Sequence, residues 1–256
     1  MDKSRYLVPT VSKSITILNL LVQRPNLSQK QIRSELDLPN GTCFNILTTL
    51  ESYGMIERDP TTSLYRLGPH LIHLGFIAYK NFDVRSLSLP ILKRLNALFD
   101  ETVYLTILDK SSNEGIVIEK LDSSQTTVVV RQLGEKVPLY ASCTGKSLLS
   151  GFDEYELERY LRATDFVKLS SKTITEQDKL RNEVETIKRK GYAITQDEWG
   201  DGATAVSSPV RDYTHRVIAA ISLSGPTPRM EKTISEMIQH IQTAANEIST
   251  KMGYSP

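Results

Sequence analysis

The sequence predicts a mainly α N-terminal winged helix-turn-helix over residues 8–68 and an α+β domain with an antiparallel sheet over residues 83–256, joined by a linker helix at 69–82. Three observations lead to this prediction. Residues 28–52 contain two short amphipathic segments separated by a proline break. Two short β-type segments follow around a polar turn. Beyond residue 100, strands are followed by helices and then by strands again, which is typical of α+β domains.

The first helices are predicted from spacing and capping residues. A helix over Val11–Gln23 carries apolar residues at helical intervals, namely Ile15, Leu18, Leu21 and Val22. The next helix begins at Ser28, because Gln31 three positions later completes the spacing of a capping box. Pro39 disfavours helical geometry in the residue before it and ends that helix. Asn40 is then predicted to cap the third helix.

The third helix is predicted to bury one face and expose the other. The buried stripe follows the spacing i, i+3, i+4 and i+7: Cys43, Ile46, Leu47 and Leu50. The outward residues are mostly small and polar: Gly41, Thr42, Phe44, Asn45, Thr48 and Thr49. In a helix-turn-helix, the N-terminal residues of the second helix contact base edges in the major groove. This outward face is therefore the candidate surface for reading DNA.

A wing is predicted after this helix. Met55–Arg58 and Leu64–Leu67 are typical of strands around the polar turn at residues 59–63. Phosphate contacts are assigned to the start of the second helix and to the wing, at Ser28, Gln29, Lys30, Arg58, Ser63, Tyr65 and Arg66. Without the wing, a small helical subdomain packed on a larger body would explain these helices as well as DNA binding does. The wing and its place near the N-terminus favour DNA binding.

The remaining elements are assigned from periodicity. Gly68-Pro69 begins the linker helix, which has Leu71, Leu74, Ile77 and Ala78 on one side and ends near Asn81. Strands are predicted at Thr102–Asp109, Gly115–Leu121, Thr126–Gln132, Tyr192–Gln196, Ala203–Arg211 and Val217–Ser224. Helices are predicted at Ser86–Phe99, 144–150, 153–163 and 175–190, and a long final helix runs from about Arg229 to Met252. Thr175, with Asp178 three positions later, predicts a capping-box variant at the start of the fourth of these.

Composition favours a regulator and argues against several other classes. The net charge is only +1, yet residues 1–80 hold nine Lys or Arg against six Asp or Glu, a net charge of +3. Two cysteines and four scattered histidines (His70, His73, His215 and His240) give neither a disulfide framework nor metal-ligand spacing, so no metal or cofactor is predicted. The sequence has no apolar run that would span a bilayer and no signal peptide, so a cytoplasmic location is expected and no membrane partner.

Three segments carry a resemblance to a known family. They are LPNGTCFNILTTLESYGMI at 38–56, VPLYASCTGKSLLS at 137–150, and GYAITQDEWGDGATAVSSPVRD continuing into VIAAISLSGP at 191–226. With these segments in this order, the chain resembles the IclR family of transcriptional regulators along nearly its full length. The resemblance implies a winged helix, a linker helix and a GAF-like effector-binding domain. The segments PLY at 138–140 and KMGY at 251–254 resemble sugar-acid regulators of the KdgR type.

The resemblance also implies an effector pocket in the C-terminal domain. In the family, a loop before a helix contacts a small acidic effector through backbone N–H groups, which implies Cys143 and Thr144 here. The implied positions across the pocket are Thr195, Ala205, Ser222 and Ser224. Free N–H groups at a helix start attract anions for a general physical reason as well. Two plainer interpretations remain open, because Ser222 and Ser224 fit ordinary strand alternation and Cys143 fits a small buried residue.

The chain departs from the family pattern at both candidate sites. Family members that bind two- or three-carbon keto acids tend to have Asp at the Thr195 position and Cys at the Ala205 position. These replacements change the hydrogen-bonding groups and enlarge the space, which predicts a larger organic or sugar acid. In the DNA helix, Asn45 replaces the usual Arg, and Phe44 replaces the commoner Tyr. Asn pairs best with adenine, so a different operator preference is expected.

An enzyme is not predicted. Gly145-Lys146-Ser147 resembles the end of a phosphate-binding P-loop, but Tyr140 stands where that motif needs a glycine. No nucleophile elbow and no paired catalytic carboxylates are recognisable in the sequence.

The sequence therefore predicts a repressor of a catabolic operon. We expect a homodimer or a dimer of dimers, paired through the N-terminal domain and linker helix, on a pseudo-palindromic operator in double-stranded DNA. A small organic or sugar acid bound in the C-terminal domain would change its affinity for DNA. The alternatives are a ligand-independent architectural DNA binder with a filled pocket, and a protein-interaction module without salt-dependent DNA affinity.

Overall fold

The computed structural model of the protein describes residues 7–80, 83–127, 129 and 131–255. The chain divides into two compact units between residues 81 and 82. The predicted end of the linker helix near Asn81 and the predicted domain boundary at residue 82 lie outside the described residues. The fold class predicted from the sequence is confirmed: a helix-turn-helix with a two-stranded wing precedes an α+β unit with an antiparallel sheet.

In its described residues, the first unit contains four helices and a two-stranded sheet. The elements are α1 (Pro9–Gln23), α2 (Gln29–Glu35), α3 (Asn40–Ser52), β1 (Ile56–Arg58), β2 (Tyr65–Leu67) and α4 (Pro69–Lys80). β1 and β2 pair antiparallel, with Glu57 opposite Arg66. Backbone hydrogen bonds in both directions between Leu27 and Tyr65 tie the wing to the segment before α2. The wing is thereby held against the helix-turn-helix.

The core of this unit comes from every helix of the helix-turn-helix and from the wing. Its buried residues are Ile17, Leu21, Leu27, Ile32, Leu38, Cys43, Ile46, Leu47, Ile56 and Tyr65. The predicted stripe of α3 is confirmed, with Leu50 only partly buried. The predicted stripe of α1 is wrong in part, because Ile17 and Leu21 face the core while Ile15 and Val22 are exposed. α1 carries apolar residues on more than one face, so periodicity alone did not identify the buried one.

Helix capping was predicted correctly at one of two starts in this unit. Ser28 caps α2, and the Gln31 side chain bonds back to the Ser28 backbone N–H, which completes the capping box. The prediction that Asn40 caps α3 is wrong, because α3 begins at Asn40 itself and Pro39 is the cap residue. The Asn40 side chain instead accepts a hydrogen bond from Gln29 Nε2 at 3.3 Å, which links α3 to α2.

The part of the second unit that the structure describes has six helices and a six-stranded sheet. The helices are α5 (Asp83–Phe99), α6 (Cys143–Leu149), α7 (Glu154–Ala163), α8 (Gln177–Lys190), α9 (Thr227–Met230) and α10 (Ile234–Lys251). The strands are β3 (Thr102–Asp109), β4 (Glu114–Leu121), β5 (Lys136–Pro138), β6 (Ala193–Gln196), β7 (Ala203–Arg211) and β8 (Val217–Pro226). All pairings are antiparallel, in the order β5-β4-β3-β8-β7-β6.

The sheet register brings together side chains that are far apart in the sequence. Thr195 on β6 lies opposite Ala205 on β7, which lies opposite Ser224 on β8. Two residues before Ser224 on β8, Ser222 lies between Ser207 on β7 and Tyr104 on β3. The Ser207 hydroxyl donates to the Cys143 carbonyl oxygen at 2.8 Å, so α6 covers this face of the sheet.

Three predictions in the second unit need correction. The strand predicted at Thr126–Gln132 does not form in the described residues of that range; residues 128 and 130 lie outside them, and β4 instead pairs with β5. The capping box predicted at Thr175 is wrong, because α8 begins at Gln177 and its cap residue, Glu176, makes no side-chain cap bond. The long final helix is two helices, since Thr233, with φ −128°, leaves helical geometry between α9 and α10.

Candidate functional site

The face of α3 that was predicted to read DNA is turned away from the core. Gly41, Phe44, Asn45 and Thr48 are exposed, and Thr42 is half-buried. Because Cys43, Ile46 and Leu47 are buried on the other side, the orientation of this helix is fixed by its packing. The surface is small and polar, apart from the exposed ring of Phe44.

The start of α2 contributes two polar residues and one cation near this surface. The Ser28 hydroxyl donates to Gln31 Oε1 at 2.8 Å and accepts from the Gln31 N–H, so capping already uses it. Gln29 is half-buried and bonded to Asn40, whereas the side chain of Lys30 is exposed. Of these three predicted phosphate contacts, only Lys30 is charged, and its side chain is exposed to solvent.

The wing carries two exposed arginines, but one predicted residue is misassigned. Arg58 lies 5.7 Å from the centroid of the Tyr65 ring, and Arg66 Nη2 bonds Glu57 Oε2 across the hairpin at 3.0 Å. Ser63, at the turn, is exposed with φ +59°. Tyr65 was predicted to contact phosphate, yet it is 5% exposed and belongs to the core. Its ring anchors β2 instead, because strand alternation turns it inward.

A cavity of about 60 Å³ lies between the sheet and α6. All six residues that the sequence assigned to the effector pocket line it: Cys143, Thr144, Thr195, Ala205, Ser222 and Ser224. They come from four separate elements, and the register described above brings them together. One buried water needs about 10–15 Å³, so the space corresponds to a compact ligand.

Cys143 and Thr144 form the first turn of α6. Ser142 is the cap residue, and its hydroxyl accepts the N–H of Gly145 at 3.0 Å. In the described part of the chain, neither the Cys143 nor the Thr144 N–H donates a hydrogen bond. The Cys143 Sγ lies 3.4 and 3.3 Å from the carbonyl oxygens of Ala193 and Ala205, which share its single proton. Burial raises the pKa of Cys143 to about 11, against the opposing effect of nearby hydroxyls, so it is a neutral thiol.

The cavity is also lined by residues that the sequence did not indicate, among them Tyr104, Thr106, Arg131 and Trp199. The Arg131 guanidinium carbon lies 3.5 Å from the centroid of the Trp199 ring. The Tyr104 hydroxyl donates to the Val129 carbonyl oxygen at 2.7 Å and accepts the Arg131 N–H at 3.0 Å. Burial raises the pKa of Tyr104 to about 12, so the phenol stays protonated. No motif spacing connects these positions: Tyr104 and Thr106 lie on β3, whereas Arg131 and Trp199 lie in loops, and the four meet only in the folded unit.

A buried ion pair supports the cavity from behind. Lys146 is completely buried, and its Nζ lies 2.6 Å from Glu198 Oε2 and 2.9 Å from Glu183 Oε1. Burial raises the pKa of Glu198, and Lys146 opposes that rise. Lys146 therefore points into the protein, where it is inaccessible to a nucleotide, in agreement with the rejection of a P-loop.

The described residues contain no cluster of His, Cys, Asp or Glu with which a metal ion could be held. No helix among them is both long and apolar enough to cross a membrane.

Two family models match the chain. The model described as "Bacterial transcriptional regulator IclR C-terminal" matches residues 76–250, and the IclR helix-turn-helix domain matches residues 10–60. The HTH-type transcriptional regulator KipR of Bacillus subtilis is 30% identical over 247 residues, covering 96% of this chain and 98% of KipR. The HTH-type transcriptional regulator KdgR of Escherichia coli is 29% identical over 256 residues, covering 99% and 96%.

Solved structures share the fold. An IclR homolog from Microbacterium hydrocarbonoxydans, complexed with 4-hydroxybenzoate, matches with a TM-score of 0.81 at 23% identity, covering 96% of this chain and all of that one. KipR and KdgR are similar to this chain to nearly the same degree. Sequence identity therefore does not distinguish the KdgR-type subgroup, which two short segments suggested, from the relatives of the KipR type.

Proposed function

Because the chain belongs to the IclR family of bacterial transcriptional regulators, we propose that it represses a catabolic operon and that a small organic or sugar acid controls its affinity for the operator. The observation that carries the second part is the cavity, in which all six residues implied by the family resemblance meet. The relatives are named transcriptional regulators, in agreement with the prediction that the chain is not an enzyme.

DNA contact is assigned to the outward face of α3. Gly41, Thr42, Phe44, Asn45 and Thr48 would enter the major groove, because the N-terminal half of the recognition helix is the part that reaches base edges. Lys30, Arg58 and Arg66 would bind phosphates on either side. Ser28, Gln29 and Ser63 would add polar contacts to the backbone, whereas Tyr65 is no longer proposed as a contact.

A homodimer, or a dimer of dimers, would place two such helices on a pseudo-palindromic operator. Exposed apolar side chains on α1 and α4 support pairing through the N-terminal unit: Val11, Ile15, Val22, Ile72, Leu74, Phe76 and Ile77. By the helical period, Val11, Ile15 and Val22 share one face of α1, and Ile72 and Phe76 share one face of α4. Contiguous exposed apolar faces are typical of protein interfaces.

The effector would bind in the cavity of the second unit. The N–H groups of Cys143 and Thr144 and the hydroxyls of Thr195, Ser222 and Ser224 would bind its oxygen atoms, and Ala205 would leave room beside them. The open space of about 60 Å³ argues against a filled pocket, and so against a ligand-independent architectural protein. Binding would favour one of two arrangements of the subunits, and the difference in affinity between these would change operator binding.

The proposal is tested by selecting duplex DNA from a random library with the full-length protein. The selected operator is then titrated with wild type and with Thr42→Ala/Asn45→Ala, at two salt concentrations, with and without a panel of small acids that includes 4-hydroxybenzoate. We expect the double variant to lose sequence-specific binding, at about 1–3 kcal/mol for each base contact. An acid of the panel should change wild-type affinity, and this affinity should fall steeply with salt.

The matched control replaces two exposed residues of α10, Gln239→Ala/Thr243→Ala, and should leave operator binding unchanged. Retained sequence selectivity in Thr42→Ala/Asn45→Ala would refute the assignment of α3 as the recognition helix.

A further inference from the structure

The rim of the cavity is formed by a stacked cation and an indole. Arg131 and Trp199 both line the space, and the guanidinium carbon lies 3.5 Å from the ring centroid. At this distance the guanidinium lies over the face of the ring, where the attraction between the cation and the π-system holds it. Trp199 is the single tryptophan of the chain. Its fluorescence therefore reports on this rim.

The charge of Arg131 is poorly compensated by its surroundings. Among the described residues that line the cavity, Arg131 is the only one with a cationic side chain. Its closest carboxylate oxygen belongs to Glu135, at 3.9 Å, and the other oxygen of Glu135 accepts the Gln132 N–H at 2.7 Å. Glu198 also lines the cavity, but its carboxylate is bound to Lys146. A guanidinium whose N–H donors are not all used can bind a planar carboxylate through two parallel hydrogen bonds.

The backbone of Arg131 is held by hydrogen bonds through Tyr104. Its backbone N–H donates to the Tyr104 hydroxyl, which in turn donates to the Val129 carbonyl oxygen. Tyr104 packs with Val117 and Val137, and Trp199 lies against the same cluster. The backbone of Arg131 is therefore tied to a well-packed wall of the cavity, and its guanidinium lies against the Trp199 ring, which reduces the ordering needed when an anion binds.

On another part of the wall, one buried hydroxyl has no partner. Thr106 is 1% exposed and lines the cavity, and its Oγ1 makes no hydrogen bond in the described structure. A Cβ on Gly115 would lie 2.7 Å from the methyl carbon of Thr106, so the methyl group, and not the hydroxyl, faces Gly115. A buried hydroxyl without a partner is costly, and a ligand hydroxyl or a water would satisfy it.

We propose that the effector is a hydroxylated carboxylate, whose carboxylate is bound by Arg131 and one of whose hydroxyls pairs with Thr106. The inference rests on the proposed function, since it names the ligand class of the same cavity. Thr195, Ser222 and Ser224 provide further hydroxyls for a ligand of this kind, and the cluster of Tyr104, Val117 and Val137 contacts its carbon chain. Arg131 and Trp199 then set the preference for an acid over a neutral analogue.

The test is a titration of Trp199 fluorescence in the full-length protein. The probes are glycerate and gluconate, their amides, and propionate, which lacks a hydroxyl. We expect both hydroxy acids to change the fluorescence and to bind at least about tenfold more tightly than their amides. Arg131→Gln should weaken acid binding by about 10- to 100-fold and remove the preference for the acid over the amide. Arg131→Lys, which keeps the charge without the fork, should restore part of that preference.

Thr106→Val keeps the shape of the side chain and removes the hydroxyl. It should weaken glycerate binding by about three- to tenfold, leave propionate binding unchanged and not lower the melting temperature, because the hydroxyl has no partner to lose. Arg159→Gln, at an exposed position on α7, is the matched control and should bind every probe as wild type does.

The outcomes separate the inference from the proposed function. If wild type binds the hydroxy acids and Arg131→Gln binds them within threefold as tightly, the inference is overturned and the sensor function stands. If wild type binds none of these probes but another acid of the panel changes its operator affinity, the inference is again overturned and the sensor function stands. If no acid of the panel changes operator affinity either, both are overturned.

Discussion

Among single residues, Lys146 of the second unit carries a charge that has no access to water. It is the largest fully buried side chain of the described residues, and two carboxylates surround its ammonium group. Removing one partner of a buried ion pair leaves the other charge without compensation, which costs far more than the loss of a surface pair. Glu198, which lines the cavity, is the group that would be left in that state.

We expect Lys146→Met to lower the free energy of unfolding by about 3–5 kcal/mol, measured by urea denaturation. Burial raises the folded-state pKa of Glu198, so the stability that its protonated form contributes is present below its unfolded pKa and is lost as pH rises through the folded value. The deficit of Lys146→Met should therefore be smallest in acid, near the ordinary glutamate pKa of about 4.3, and should grow toward neutral pH.

Two further variants check this reason. Adding Glu198→Gln to Lys146→Met should recover part of the lost stability, since the uncompensated charge is then gone. Lys179→Met breaks a pair with Glu176 in which both side chains are about two-thirds exposed, and it should cost no more than about 1 kcal/mol. Equal stability of the single and double variants would contradict the assignment.

At the scale of elements, the wing is joined to α4 through a close backbone contact. Gly68 follows β2, and its N–H donates to the Met55 carbonyl oxygen at 2.8 Å. A Cβ at this position would lie 2.2 Å from the Gly54 carbonyl oxygen and 3.0 Å from the Ile56 nitrogen. Since these are backbone atoms, no rotamer change relieves the contact. Gly68 therefore permits the hairpin and the start of α4 to approach each other.

Gly68→Ala is expected to destabilise the protein by about 1–3 kcal/mol, because the hairpin must move away from the start of α4. Thermal unfolding without DNA measures this, and DNA affinity should fall with it. Gly41→Ala is the matched control, since no atom lies within 4 Å of its added Cβ at the start of α3. That variant should be as stable as wild type, or more stable by up to about 1 kcal/mol. Equal melting temperatures for the two variants would rule out a requirement for glycine at 68.

At the scale of the whole molecule, the operator that we propose is pseudo-palindromic and would be bound by two copies of the chain. The exposed apolar residues of α1 and α4 are the candidate contact between them, because Ile17 and Leu21 already supply the internal core contact of α1. Tethering two DNA-binding units multiplies the affinity for a double site by a factor of 10² or more, on the order expected for bivalent binding. Pairing and operator affinity should therefore be lost together.

Ile15→Glu/Phe76→Glu should convert the oligomer to a monomer in sedimentation equilibrium and reduce operator affinity by at least about 100-fold. The two residues are 54% and 58% exposed, so the folded monomer should tolerate the charges. Val167→Glu/Leu169→Glu, at exposed apolar positions of the other unit, is the control and should keep the parent oligomer and affinity. A double variant that sediments like wild type would exclude α1 and α4 as the interface.

The share of residues that could be predicted from the sequence differs between the DNA-binding face and the cavity. On α3 the buried stripe and the outward face were predicted residue by residue, because a helical period is a local property of consecutive residues. On the wing, Tyr65 was misassigned, since its burial depends on the packing of β2 against the helices. In the cavity, the six residues implied by the family resemblance do lie together, but Arg131, Trp199 and Thr106 had no signal in the sequence.

The sequence by itself determined the elements with a strong local pattern. Strands Thr102–Asp109 and Ala203–Arg211 have the bounds that alternation and turn residues predicted, and Ser28 caps α2 through its own neighbours. Only the tertiary structure decided that Arg131 lies on Trp199 and that the hydroxyl of Thr106 has no partner. The physical reason is that periodicity reports which face of a segment prefers burial, whereas contacts between distant segments depend on the register and order of six strands.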